Sequence, residues 1–446
     1  MTLFAQESLN EGVSKREVFG WAMYDFANSG YTTVVLTAVF NAYFVGVAAG
    51  GADWATFAWT LTLAVSNAIV MLTMPAIGAF ADLRAAKKRL LMLFTAGCVL
   101  STGLLAGVGP GDLALAVVAV VLSNVFYSYG EALNAAFLPE LARRDALGRV
   151  SGWGWSFGYF GGMLALGISL AYVLWAQGQG LKATHFVPVT MLITAGIYAV
   201  ASLVTFALLG ERAVPQPDAA HQGVAASLRR LGQTWHEARR YRDFAGLMVC
   251  AMFYQAGIAV VIALAAVYAA EALGFKQTET MLLIFLVNIA AAGGAFVFGY
   301  WQDRIGQRRA LGLTLLGWLV MIALAWAARG PGLFWVAAVL AGLCMGSSQS
   351  AGRALAGLFA PAERLAEFFG LFAFATRLSA IVGPLTYGLV TWATAGNHRH
   401  AILSTGLFFV VGWVLLRNVD VERGRAAANA PLSPSSLPPV RPAMAK

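Results

Sequence analysis

Apolar residues in this chain come in long runs, broken by short polar segments, with no strand-like alternation of apolar and polar positions. Twelve such runs are centred on residues 20–47, 54–80, 90–108, 112–136, 152–176, 187–209, 245–272, 278–301, 310–328, 332–352, 367–394 and 400–417. A bilayer core about 30 Å thick takes about 20 apolar residues of helix. Lipid offers the backbone no hydrogen-bond partners, so each run predicts a membrane-spanning helix. The expected fold class is therefore all-α integral membrane, with twelve transmembrane helices.

The polar breaks carry a repeat. Gly78-Ala79-Phe80-Ala81-Asp82-Leu83-Arg84-Ala85-Ala86-Lys87-Lys88-Arg89 is echoed 221 residues later by Gly299-Tyr300-Trp301-Gln302-Asp303-Arg304-Ile305-Gly306-Gln307-Arg308-Arg309. Gly78 falls on Gly299, Asp82 on Asp303, Lys87 on Arg308, Lys88 on Arg309, and upstream Asn67 falls on Asn288. The shift is close to half of 446 residues, so two pseudo-symmetric six-helix halves are expected, 20–209 and 245–418. Residues 1–19 form a polar N-terminal tail with no apolar leader core. Residues 210–244 form a linker whose Leu228, Leu231 and Trp235 stand against Arg229, Arg230, Arg239 and Arg240, the pattern of an interfacial amphipathic helix. The Ala/Pro/Ser-rich tail, 419–446, is expected to be disordered.

Composition agrees with that class: 59% hydrophobic residues and 11% charged, against about 25% charged in soluble domains. Charge then gives orientation. Of 30 Lys and Arg, 25 fall on the side holding both tails and the loops near 82–89, 139–150, 210–244, 302–309 and 353–366. Only Lys182, Lys276, Arg329 and Arg399 fall on the other, and Arg377 lies inside a span. That bias places both termini in the cytoplasm. It also accounts for the net charge of +9 without nucleic acid. Cys98, Cys250 and Cys344 lie in apolar runs and read as packing residues.

Polar residues inside the runs are the candidates for chemistry. Trp21 and Tyr24 open the first run and suit the headgroup level. Asp25, Asn28, Ser29 and Thr32 share one helical face, as do Asn124, Tyr127, Glu131 and Asn134 on the fourth helix. Such stripes line a water-filled cavity or bind helices together. Asp25 and Glu131 are the acids within spans, and a low dielectric disfavours their charged form. That suits a proton carrier; for Glu131, pairing with a nearby Arg is the alternative. Gly154, Gly158 and Gly162 in the fifth run are spaced for close helix packing, with Trp155 and Tyr159 as possible pocket residues. The second half adds Tyr254, Gln255, Asn288, and Gln349 with Arg353 on one face. Arg377 sits ten residues past Glu367, about 15 Å along the helix and near the midplane. It pairs with an acid, bonds carbonyls near Gly383-Pro384, or holds a substrate carboxylate. No His lies deep in a span, and no Gly-x-Ser-x-Gly elbow or metal-ligand cluster occurs, so no enzymatic activity, metal or cofactor is expected.

Twelve spans in two repeats, each with Gly-x-x-x-Asp and a basic pair after its second helix, resemble the major facilitator superfamily. The first copy departs from the motif at Leu83 and Ala85. Three stretches look like the vacuole effluxer, or autophagy-related amino-acid effluxer, family and its bacterial relatives. They are Trp21–Ser29, Asn134–Gly162 around Leu138-Pro139-Glu140 and Val150-Ser151-Gly152, and Ser348-Gln349-Ser350…Arg353 with Glu367-Phe368-Phe369-Gly370. Arg377 stands where that family leads one to expect Lys.

The resemblance implies alternating access, with helices 1, 4, 7 and 10 lining the cavity and helices 2, 5, 8 and 11 joining the halves. It implies a secondary active transporter exporting amino acids or similar small metabolites from a bacterial inner membrane, working as a monomer. The alternatives are a proton-coupled transporter of another metabolite or drug, and a non-transporting membrane sensor or scaffold. Coupling falls to Asp25 and Glu131. Substrate binding falls to Asn28, Ser29, Asn124, Tyr127, Asn134, Tyr159, Tyr254, Gln255, Gln349 and Arg377. Gating falls to Asp82, Lys87, Lys88, Glu140, Asp303, Arg304, Arg308, Arg309, Arg353 and Glu367.

Overall fold

A computed structural model describes residues 3–214, 240–275, 277–395 and 397–430. The amphipathic linker helix expected over 228–240 lies almost wholly outside them. Among the described residues the chain is helical, with no strand beyond one isolated bridge between Leu9 and Ala142.

Among the described residues, twelve helices are long and apolar enough to cross a membrane. They are α1 (Lys15–Ala48), α2 (Ala55–Arg84), α3 (Lys87–Gly107), α4 (Leu113–Leu141), α5 (Leu147–Gly178), α6 (Ala183–Leu208), α7 (Arg242–Ala265), α8 (Leu282–Ile305), α9 (Gln307–Ala327), α10 (Pro331–Phe359), α11 (Ala362–Ala393) and α12 (His398–Leu416). Each matches one apolar run, because each run can satisfy its backbone only within itself. α1 is α-helical over Lys15–Tyr31, with Ser14 as its N-cap, and π-wound over Thr32–Ala38 and Phe44–Ala48. The wider winding begins one turn past Asp25–Ser29, where the Thr32 and Thr33 hydroxyls both donate to the Ser29 carbonyl.

The halves meet mainly along α2 against α11 and α5 against α8. These are the four helices expected to join them. Gly78 and Gly299, the repeat glycines, show why the approach is so close. A Cβ at Gly78 would overlap the Ala366 carbonyl, and one at Gly299 would sit 3.0 Å from the Gly148 carbonyl and 3.1 Å from Arg149 Cα. Gly158 and Gly162 likewise seat α5 on α1 against Ser29 and Thr33, so the glycine stripe packs helices, as expected.

Two features depart from the sequence reading, and a third adds to it. Trp21 and Tyr24 are fully buried rather than set at a headgroup belt. Trp21 Nε1 donates to the Asn134 carbonyl, and the Tyr24 hydroxyl meets Thr95 and Tyr198, so each ring has a polar partner indoors. The tail after residue 419 is not wholly irregular: α13 (Val421–Asn429) is capped by Asp420 and tied down by Arg423, whose guanidinium donates to both carboxylate oxygens of Asp243 at 2.6 Å. The N-terminal tail is also docked. Asn10 donates to the Leu141, Pro139 and Glu140 carbonyls, and Phe4 inserts beside Trp153 and Phe157. Both described chain ends therefore lie at one end of the helix bundle, with the loops after α2, α4, α8 and α10. This is called the basic end below.

Candidate functional site

At the basic end, Asp25 on α1 and Arg353 on α10 form a buried ion pair across the two halves, with Arg353 Nη1 2.7 Å from Asp25 Oδ2. The second Asp25 oxygen accepts from Asn134 Nδ2 at 3.0 Å, which brings the α4 stripe onto the α1 stripe. The remaining guanidinium nitrogens of Arg353 serve α5: Nε donates to Ser151 Oγ at 3.0 Å and Nη2 to the Ser151 carbonyl at 2.7 Å. Trp21 and Trp155 cover its two sides, with ring centroids 4.9 and 5.2 Å away. A Cβ at Gly154 would run into Asp25 Oδ2, Arg353 Nη2 and Trp21, so the glycine leaves room for this pair. Asp25 and Arg353, expected in separate roles, form one assembly.

A second cross-half pair joins Glu131 on α4 to Arg377 on α11. The Arg377 guanidinium also lies 5.8 Å from the Tyr127 ring, which stacks on Tyr31 at 5.2 Å. Of the three readings for Arg377, pairing with an acid is the one seen, and Glu131 rather than Asp25 is the partner. An isolated charge near the midplane carries a penalty of at least about 2.5 kcal/mol on insertion scales, so a partner is what the physics requires.

The repeat aspartates act alike. Asp82 on α2 accepts from the backbone N–H groups of Ala366 and Glu367, at 3.0 and 2.8 Å, in the first turn of the α-helical part of α11, which starts at Leu365. Asp303 on α8 accepts from the N–H groups of Gly148 and Arg149, at 2.9 and 3.0 Å, in the first turn of α5. Each carboxylate thus caps a helix of the opposite half, where free N–H groups and the helix dipole favour an anion. Arg149 Nε adds a 2.9 Å bond to Asp303. Ser151, Trp153 and Ser156 extend the seam to Ser350, Tyr300 and Ala292.

The other gating candidates divide. Buried Glu367 belongs to the seam through its N–H. Lys87 pairs with Glu140, which links α3 to the end of α4 within one half and is not a cross-half gate. Lys88 donates through its backbone to Glu211 at 2.7 Å. Arg308 bonds the Val419 carbonyl at 2.9 Å within the second half. Arg304 and Arg309 are exposed. The basic pairs of the repeat therefore face away from the seam that its aspartates bridge.

Among the substrate candidates, Gln255 on α7 and Gln349 on α10 are bonded to each other at 2.8 Å. Asn124 Nδ2 donates to Ser66 Oγ at 2.6 Å, inside the first half. Buried Asn28 accepts a long 3.4 Å contact from Ser29, whose hydroxyl is engaged with the Asp25 carbonyl. Tyr159 lies against Trp155 at 5.9 Å, and Tyr254 is fully buried. Several buried polar atoms on these helices have no hydrogen-bond partner among the described residues: Asn124 Oδ1, Asn134 Oδ1, Trp155 Nε1 and Arg377 Nε. No cluster of His, Cys, Asp and Glu suited to a metal occurs among the described residues. Sequence reasoning missed Ser151 and Arg149 as partners. Both lie in or beside the Val150-Ser151-Gly152 stretch, but nothing local tells which carboxylate or guanidinium they meet.

Comparison with known proteins gives the same class. The family model described as "Vacuole effluxer Atg22 like" matches residues 40–429. The "Uncharacterized MFS-type transporter YxiO" of Bacillus subtilis is 27% identical over 414 residues, 90% of this chain and 94% of that protein. "Autophagy-related protein 22" of Yarrowia lipolytica is 25% identical over 339 residues, 69% of this chain and 56% of that protein. Among solved structures, the human organic anion transporter MFSD10 superposes with a TM-score of 0.72 at 15% identity, covering 90% of this chain and 99% of that one. The proton:xylose symporter XylE superposes with a TM-score of 0.71 at 14% identity, covering 93% and 97%. These structures share its all-helical major facilitator fold. With the family model matched over most of its length, the chain belongs to the vacuole effluxer Atg22-like family of MFS-type membrane transporters.

Proposed function

We propose that this chain is a secondary active transporter that exports amino acids or similar small zwitterions by alternating access. The observation that carries the reading is the sorting of charge across the seam. The first half contributes two acids, Asp25 and Glu131, and the second half two arginines, Arg353 and Arg377. Pulling the halves apart at the basic end separates both pairs and leaves an acidic wall facing a basic one. A zwitterion with an ammonium and a carboxylate complements such walls, and a bidentate guanidinium–carboxylate contact suits Arg353 or Arg377. The unpartnered atoms Asn134 Oδ1, Trp155 Nε1 and Arg377 Nε add polar groups that a cargo can satisfy.

Alternating access then needs the Asp82 and Asp303 caps, the Asp25–Arg353 pair and the Glu131–Arg377 pair to release together. A proton taken by Asp25 weakens its bond to Arg353 and favours release, so Asp25 is the coupling residue in this reading and Glu131 the second candidate. The charge bias of the loops supports a cytoplasmic basic end in a bacterial inner membrane. The Atg22-like relatives support efflux as the direction.

The test is a thermal-shift screen of the purified chain against amino acids and dipeptides, followed by flux of any hit in proteoliposomes. Stabilisation by a zwitterion, with accumulation driven by a pH gradient lost in Asp25→Asn while exchange is kept, supports the reading. Transport confined to uncharged or purely anionic solutes sinks it.

A further inference from the structure

On the outer face of the second half, away from the seam, α8, α9 and α12 enclose a groove of about 510 Å³. Its walls are Trp301, Ile305, Leu313, Leu316, Trp413 and Leu416, and its rim carries Arg308, Arg309 and Arg417. Trp301, Leu313 and Leu316 are each about two-fifths exposed, an apolar surface that faces lipid in a membrane transporter. The three arginines stand at the basic ends of their helices: Arg308 and Arg309 in the first turn of α9, and Arg417 just past α12.

Among the described residues none of the three is in an ion pair. The acids nearest in sequence are engaged elsewhere: Asp303 caps α5, and Asp420 caps α13. Two guanidinium groups are held in place. Arg308 donates to the Val419 carbonyl, and the Arg417 guanidinium carbon lies over the Trp413 ring, 3.6 Å from its centroid. Three uncompensated cations above an apolar trough match one occupant, a phospholipid with an anionic headgroup.

We propose that this groove binds an anionic phospholipid of the surrounding bilayer, with its phosphate among Arg308, Arg309 and Arg417 and an acyl chain along Leu313, Leu316 and Leu416. Basic pockets between transmembrane helices at the headgroup level capture such lipids, and interfacial tryptophans such as Trp301 and Trp413 sit at that depth. The repeat thereby gains a use for its second basic pair, which the gate does not employ. A lipid here touches α8 and α9, and the last turn of α8 carries Asp303, so its occupancy bears on the seam.

The experiment offers the purified full chain dioleoylphosphatidylglycerol or dioleoylphosphatidylcholine in mixed micelles, and reads retained lipid by native mass spectrometry and thermal unfolding. Phosphatidylglycerol should be retained several-fold over phosphatidylcholine and should raise the unfolding temperature. Arg309→Gln/Arg417→Gln should erase the preference while folding normally, because both side chains are exposed; Arg308 is left intact because it holds the chain at Val419. Arg143→Gln/Arg144→Gln, at the same end but outside the groove, should keep it. Equal retention of both lipids overturns the proposal, as does an equal loss of preference in the control variant. Inorganic phosphate alone reproducing the stabilisation overturns the lipid assignment. None of these readouts depends on transport.

Discussion

Asp82 and Asp303 perform the same task from opposite halves: each carboxylate caps the first turn of a helix in the other half, Asp82 on α11 and Asp303 on α5. In the function proposed above, the repeat spaced 221 residues apart acts as a pair of reciprocal latches on the basic end. Loss of one cap weakens that closed state by about 1–2 kcal/mol, the size of a lost N-cap. Asp303→Asn should therefore shift the population toward opening at the basic end with the fold intact. Labelling of a cysteine placed in the seam reads the shift. Normal transport and unchanged accessibility in both Asp82→Asn and Asp303→Asn would remove the latch role.

The Asp25–Arg353 pair should behave as a buried pair whose partners depend on each other. Arg353→Gln alone leaves Asp25 uncompensated and should destabilise the closed state by about 3–5 kcal/mol. Asp25→Asn/Arg353→Gln should recover much of that loss, a coupling of about 2 kcal/mol in a double-mutant cycle. Additive single-variant effects on thermal unfolding would show the two side chains to be independent. Asp25→Asn should also retain substrate exchange while losing its response to a pH gradient.

Arg377 has two possible duties, and rescue separates them. If it serves only Glu131, then Arg377→Ala/Glu131→Gln restores cargo affinity lost in Arg377→Ala. If it also receives the cargo carboxylate, affinity stays lost in the double variant, and Arg377→Lys weakens binding without abolishing it because Lys lacks the planar fork. Binding measured by thermal shift on the identified cargo decides.

The docked N-terminal segment should matter to the gate. Arg149, which bonds Asp303, also donates to Ser8 Oγ at 3.3 Å, and Ser8 is fully buried. Asn10→Ala removes the side-chain bonds to the Pro139 and Glu140 carbonyls and should lower stability by about 1 kcal/mol. Deleting residues 3–12 should raise accessibility at the seam in the same direction as Asp303→Asn. An unchanged labelling pattern after deletion would make the segment a passive tail.

Orientation has a direct check. Asp145 is an exposed side chain in the loop between α4 and α5. In a chain lacking Cys98, Cys250 and Cys344, Asp145→Cys should resist an impermeant thiol reagent in intact cells and react after permeabilisation. Reaction in intact cells would invert the topology.

The apolar runs, the repeat and the loop charges determined much of this protein by themselves. Each helix is specified by some twenty neighbouring residues that must satisfy their own backbone bonds in lipid. Twelve spans and a two-fold repeat follow from such local requirements, and the repeated Gly-x-x-x-Asp marked the two cross-half caps because both copies carry it. The tertiary structure decided the partners. Arg353 and Asp25 lie 328 residues apart, and Arg377 and Glu131 lie 246 apart. A helical face says which side chains share a surface, but only the crossing of α10 on α5 and α1 brings that guanidinium to that carboxylate. The fate of Trp21 and Tyr24 was hidden for the same reason: an aromatic ring with one polar atom suits a headgroup or a buried carbonyl equally well. The basic pairs show the converse. Lys87 and Arg308 hold equivalent positions in the repeat, yet one meets Glu140 and the other the carbonyl of Val419. Equivalent sequence fixes where a side chain starts, and the surrounding packing fixes what it reaches.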